Sequence, residues 1–166
     1  MKKNKFLLLF IAILLHFSFD ASAQCDIVNT AFNSGENISY DLYFNYGLIN
    51  TRAGAGSMAT EMVNYKGDSA YNIRMLLNTS GLVGSFYSVN DTLVSYIDLS
   101  LRPLLFTKNA FEGKDYSKEI QSFNYSGNDI KIRTSRVFNF EKRFDETFTT
   151  NTCTYDYLSV LPLIRN

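Results

Sequence analysis

Glu36-Asn37-Ile38-Ser39-Tyr40-Asp41-Leu42-Tyr43-Phe44-Asn45-Tyr46 is the stretch that decides the fold class. Ile38, Tyr40, Leu42, Phe44 and Tyr46 fall on one parity; Asn37, Ser39, Asp41 and Asn45 fall on the other, interrupted only by Tyr43. Successive strand side chains point to opposite faces, so this alternation predicts a half-buried antiparallel strand. Asn33-Ser34-Gly35 supplies a turn before it and Gly47 a turn after it.

Working outward, the next apolar run, Leu48 to Val63, carries Ala53-Gly54-Ala55-Gly56-Ser57 at its centre. Glycine is a poor strand residue, so two of them here imply a bulge, a bend or a close backbone approach. Two readings follow: the strand floors a cavity or receives a packed helix, or it forms a barrel corner. It is not a phosphate loop, because Gly-x-x-x-x-Gly-Lys is absent. Lys66-Gly67-Asp68 turns the chain into Ser69–Thr79, where Tyr71, Ile73, Met75 and Leu77 are in phase. A short apolar piece, Leu82 to Val89, precedes an Asn90-Asp91 turn. Thr92–Leu99, Leu104–Phe111, Ser117–Tyr125, Asp129–Phe138 and Phe140–Thr149 are further strands, with Gly127-Asn128 the best two-residue hairpin loop. Asp156 is placed to cap a short helix presenting Leu158, Leu161 and Ile164, and Pro162 limits its regularity. The expectation is an all-β protein: a curved antiparallel sheet or partly open up-and-down β-barrel with one short C-terminal helix. No closing strand follows that helix, so the sheet is expected to be truncated or completed by another part.

The N-terminus reads as a secretory signal. Met1-Lys2-Lys3-Asn4-Lys5 is basic, Phe6 to Phe17 is almost wholly apolar, and Ala21-Ser22-Ala23 offers the small residues of a cleavage site. The apolar run is shorter than the roughly 20 residues that span a bilayer. Residues 1–23 are therefore read as a signal peptide and 24–166 as one β domain, with no transmembrane segment after cleavage. The mature chain loses Lys2, Lys3, Lys5 and Asp20 and keeps 13 basic and 15 acidic side chains. That balance argues against a nucleic-acid partner. Cys25 and Cys153 survive cleavage; in an oxidising compartment their bridge would close most of the chain and contribute about 4–5 kcal/mol. Two buried thiols are the alternative.

Candidate chemistry is sparse. The only histidine, His16, lies in the leader, so a Ser-His triad is excluded and the commonest metal ligand is missing. Two cysteines cannot build a four-thiolate zinc site. No catalytic residue, metal or cofactor is expected. Asp91, Asp98, Glu36, Asp41 and Glu112 are carboxylates near turns, and a facing pair would be needed for glycoside hydrolysis. Arg133 and Arg136 guard an edge or clamp an anion. The aromatics carry more information: Tyr40, Phe44, Tyr46, Tyr71, Phe86, Tyr87 and Tyr96 should cluster as a core or line a concave site. Tyr40, Phe44, Gly54, Gly56, Tyr71 and Tyr96 are the expected ligand-binding residues.

Three stretches carry a family resemblance: Phe32-Asn33-Ser34-Gly35-Glu36-Asn37-Ile38-Ser39-Tyr40 with the glycine-rich strand to Met58; Asn90-Asp91-Thr92-Leu93-Val94-Ser95-Tyr96-Ile97-Asp98 with Leu101-Arg102-Pro103 and Phe111-Glu112-Gly113; and Thr154-Tyr155-Asp156-Tyr157-Leu158-Ser159 with Arg165. In this order the chain resembles the bacterial envelope family known as domain of unknown function 3108. The resemblance implies an antiparallel β fold and a periplasmic or outer-envelope location in a Gram-negative bacterium, the family being common in Bacteroidetes. It brings no activity. The functional expectation is a non-enzymatic binder of a lipid, an acyl chain or another envelope component. An assembly protein pairing through an open sheet edge is the alternative, with a carboxylate-based glycan hydrolase third.

Overall fold

Each strand pairs with the next in sequence, and every pairing is antiparallel. The computed structural model describes residues 27–30 and 32–166; the signal segment and Cys25 lie outside them. The order is β1 (Glu36–Tyr46), β2 (Ile49–Tyr65), β3 (Asp68–Thr79), α1 (Gly81–Phe86), β4 (Val89–Ile97), β5 (Pro103–Glu112), β6 (Asp115–Ser126), β7 (Asp129–Phe138), β8 (Glu141–Thr150) and α2 (Val160–Arg165). The eight strands form one sheet that does not close, with β1 and β8 as its edges.

Turn chemistry sets the boundaries. Lys66 and Gly67 both have positive φ (57° and 104°), the backbone of a tight two-residue hairpin. Asn139 and Phe140 do the same (47° and 67°), which ends β7 at Phe138 and delays β8 to Glu141. An aromatic residue rarely adopts that conformation. Phe140 is held there by stacking on Tyr116 (5.1 Å), while Asn139 Oδ1 accepts from the Tyr116 amide (2.8 Å) and its Nδ2 donates to Asp115 Oδ1 (2.8 Å).

The apolar piece after β3 is a helix, so the described residues carry two short helices where the sequence predicted one. Gly81 has φ +60°, and a methyl at Gly84 would meet the Thr79 carbonyl carbon at 3.2 Å. Six residues are too few to display a helical period, so α1 is invisible to pattern reading. Asn90 and Asp91 correspondingly lie in β4, not in a turn.

The core sits at one end of one sheet face. Met58, Ile73, Ile97 and Phe106 from β2–β5 meet Leu101, Leu158 and Phe32. Leu161 and Leu163 of α2 and Ile27 pack around them. Phe123, Ile130, Ile132 and Tyr125 form a smaller cluster on β6 and β7.

Two polar clamps fix the cover. Asp156 is buried; its Oδ1 accepts from the amides of Leu158 (2.8 Å) and Ser159 (3.0 Å), and its Oδ2 accepts from Ser95 Oγ of β4 (2.8 Å). Ser159 Oγ accepts in return from the Asp156 amide (2.8 Å). This reciprocal pairing closes the turn at 156–159, ahead of α2, which starts only at Val160 with Ser159 as its N-cap and no side-chain capping bond; it is also bonded across 61 residues to the sheet. Arg165 then grips Glu36, the first residue of β1, through two bonds of 2.7 and 2.8 Å. In the β4–β5 connection, Asp98 Oδ1 accepts from the Ser100 and Arg102 amides (both 2.9 Å), and Arg102 Nε donates to Asp98 Oδ2 (2.7 Å). The Arg102 guanidinium also lies 4.8 Å from the Tyr125 ring centre.

Candidate functional site

Strand register shows which side chains share the end of the packed face away from α2. One row runs Tyr40, Gly56, Leu77, Asp91, Ala110, Ser117, Phe138, each the cross-strand partner of the next. The row nearer the core runs Ile38, Met58, Met75, Leu93, Lys108, Glu119, Arg136, Phe144. Cross-strand partners lie on one face. The β1–β3 part of the first row is therefore apolar, and charge enters from β4 to β7.

The glycines are explained by close approach. Opposite them the β1–β2 register shifts between Leu42 and Tyr43, the bulge anticipated for this strand. A Cβ on Gly54 would lie 2.0 Å from the Asn78 carbonyl oxygen, so the space is occupied by β3 backbone. At Gly56 it would meet Leu77 Cδ2 at 3.0 Å and Tyr40 Cβ at 4.0 Å. What the missing side chains make is a thin sheet over which Tyr40 and Leu77 approach one another.

Tyr40, Phe44, Gly54 and Gly56 therefore come together at the β1–β2 end. Tyr40, Leu42, Phe44 and Tyr46 are 49%, 40%, 47% and 74% exposed, and Phe44 stacks on Tyr46 at 6.4 Å. β1 is the predicted strand but is not half-buried: beyond Ile38 both parities are exposed, because nothing in the described chain covers its apolar side. Tyr71 belongs elsewhere: it stands edge-on to Phe32 (4.8 Å) and its hydroxyl accepts from Asn29 Nδ2 (3.1 Å), inside the core boundary. Tyr96 lies on the opposite face, stacked on Tyr65 at 4.8 Å. Its even position on β4 is out of phase with Ser95 and Ile97, which point into the core. Phe86 and Tyr87 stand exposed at and just after the end of α1, and the Tyr87 ring packs against Gly113.

The charged part of the site centres on Asp91. Its side chain is buried on β4, and its Oδ1 has no hydrogen-bond partner among the described residues. Burial raises its pKa, and the neighbouring Glu112 carboxylate raises it further against the opposing pull of Lys108. Lys108 Nζ reaches Glu112 Oε1 at 3.4 Å, a long contact. Arg136 Nε lies 3.5 Å from Glu119 Oε1 without forming a hydrogen bond. Lys108 and Glu119 escaped sequence reasoning. The available signal was phase, since Lys108 falls on the same parity as buried Phe106 and Ala110.

Among the described residues, no group of three or more His, Cys, Asp or Glu could hold a metal ion, and no helix is long and apolar enough to cross a membrane. A shallow hollow, lined by Phe32, Met58, Thr60, Ile73, Leu161, Pro162 and Arg165, marks the seam between α2 and the sheet.

No curated protein and no solved structure matches the chain. A family model described as protein of unknown function (DUF3108) matches residues 39–166. That span contains the Asp98–Pro103 loop and the Asp156–Ser159 clamp, and it runs from β1 to the end of α2. The chain belongs to the DUF3108 family.

Proposed function

We propose that this is an exported, non-enzymatic envelope protein that holds an apolar or amphipathic molecule, such as a lipid or acyl chain, on the uncovered end of its packed sheet face. One observation carries the reading: Tyr40, Leu42, Phe44 and Tyr46 share a parity in phase with the core yet stay 40–74% exposed. A contiguous apolar patch on a water-facing surface marks a place where something binds. The basic, apolar and small-residue pattern of residues 1–23 supports export to the periplasm or outer envelope. In that compartment Cys25 and Cys153 form a disulfide; no described cysteine is a free thiol, and Cys153 lies half-buried just ahead of the Asp156 clamp.

The test is native mass spectrometry of protein purified from envelope extract. A co-purifying lipid-sized adduct, lost when Leu42 and Phe44 are changed to Ser, is the expected result. A clean mass from extract, with no adduct after incubation with mixed phospholipid, refutes the reading.

A second reading rests on the sheet edges. β8 exposes Glu141, Lys142, Arg143, Asp145 and Glu146, the charged pattern that discourages edge pairing. β1 exposes Tyr40, Leu42, Tyr43, Phe44 and Tyr46 and carries only Glu36 and Asp41 as charges, both already paired with arginines. An unguarded strand of this length fits a partner that adds a strand to the sheet.

A further inference from the structure

The reading above leaves the polar end of the guest unspecified, and Asp91 specifies it. Resting on that reading, we propose that the row Tyr40–Gly56–Leu77–Asp91 seats an amphiphile with an ammonium head, the head donating to Asp91 and the tail lying over Leu77 and Gly56 towards Tyr40.

Three observations converge. Asp91 is only 6% exposed, yet Oδ1 accepts no hydrogen bond. A buried carboxylate oxygen without a donor is costly, and native proteins keep such groups rarely and usually for a purpose. Second, the charges sharing this face between β4 and β7 are Asp91, Glu112 and Glu119 against Lys108 and Arg136. Carboxylates outnumber cations here, and Asp115, the cross-strand partner of Glu112, adds another that accepts only from the neutral Asn139 amide, so this face favours a cationic head. Third, the side chains directly across the strands from Asp91 are apolar or absent, in an unbroken line to the exposed Tyr40. Strands lie about 4.8 Å apart, so three strand steps give a trough of roughly 14 Å from carboxylate to aromatic ring. The weak Lys108–Glu112 contact is the gate, because either side chain can swing aside without breaking a good bond.

The head donates N–H bonds and places its positive charge against the Asp91 carboxylate. A sulfate head would meet repulsion from the Asp91 and Glu112 carboxylates. A neutral sugar head would satisfy the acceptor without neutralising the charge.

The experiment is isothermal titration calorimetry of the full chain with dodecylammonium chloride, dodecyl maltoside and dodecyl sulfate, each below its micelle concentration. Dodecylammonium should bind tightest, by about tenfold over the maltoside, as expected for one charge-assisted hydrogen bond in a shielded site. Asp91→Asn, matched in shape, should abolish that preference. Glu112→Gln, a second and less buried change, should reduce it. Glu61→Gln, an exposed carboxylate elsewhere on β2, should not. Equal affinity for ammonium and maltoside, preference for sulfate, a preference that survives Asp91→Asn, or equal loss in Glu61→Gln each overturn the ammonium seat while leaving an apolar-guest site standing. Binding of none of the three overturns the underlying reading as well.

Discussion

Replacing Asp156 with alanine should destabilise the fold severely, by about 3–5 kcal/mol. The carboxylate accepts from Ser95 Oγ, the Leu158 amide and the Ser159 amide at 2.8–3.0 Å, and Ser95, Leu158 and Ser159 are each at most 1% exposed. Alanine leaves three buried donors without an acceptor, at roughly 1–3 kcal/mol each before relaxation. Domains of this size have a total stability of about 5–15 kcal/mol, so the loss is a large fraction of the whole. Asp156→Asn separates the hydrogen bonds from the charge. Its Oδ1 can still accept from both amides and its Nδ2 can donate to Ser95 Oγ, so the change should cost no more than about 1 kcal/mol. Ser95→Ala removes one bond and should fall between. The wild type also carries a pH signature. Burial raises the Asp156 pKa above its ordinary 3.8, against the lowering effect of its hydrogen bonds. A folded-state pKa above the unfolded one means that the native state binds the proton more readily. Stability from this group is therefore greatest below the unfolded pKa and declines as pH rises through the folded one. Asp156→Asn should lack that component. Urea unfolding followed by circular dichroism between pH 4 and pH 7 reads all of this. Finding Asp156→Ala within about 1 kcal/mol of wild type, or Asp156→Asn as damaging as the alanine change, would refute the clamp as the device that fastens the C-terminal cover.

Other outcomes follow from the same contacts. Gly54→Ala should cost about 1–3 kcal/mol because its methyl meets rigid β3 backbone, whereas Gly56→Ala meets only the tip of Leu77 and should cost less than half as much; denaturant midpoints rank them. Arg165→Ala should lower the melting temperature at low ionic strength and lose that effect in 1 M salt, since its pair with Glu36 is partly exposed. Alkaline titration followed at the tyrosinate absorbance should leave one phenol resistant; Tyr125→Phe should remove it, because burial first and then the Asp98 charge hold that hydroxyl well above the ordinary tyrosine range while it donates to the Pro103 carbonyl at 2.9 Å.

Alternation in Glu36–Tyr46, glycine-bearing turns and the Gly127-Asn128 loop were enough to read an antiparallel meander, because period two and hairpin geometry are local properties of the backbone. The local bonding of Asp156 was legible for the same reason, since its partners lie within three residues, although they close a turn and α2 begins only at Val160. Its bond to Ser95 was not, as no local rule links positions 61 residues apart. Parity says which residues share a face but not which end of that face is covered. The sequence therefore grouped Tyr40, Tyr71 and Tyr96 together. Register then placed Tyr96 on the far side, and the segment carrying Asn29 and Phe32 covered the face at Tyr71 while leaving Tyr40 half exposed. The charge stripe around Asp91 is tertiary throughout. Its members come from four strands, and only the pairing of β4 with β5, β5 with β6 and β6 with β7 sets an unsatisfied buried carboxylate beside an apolar row.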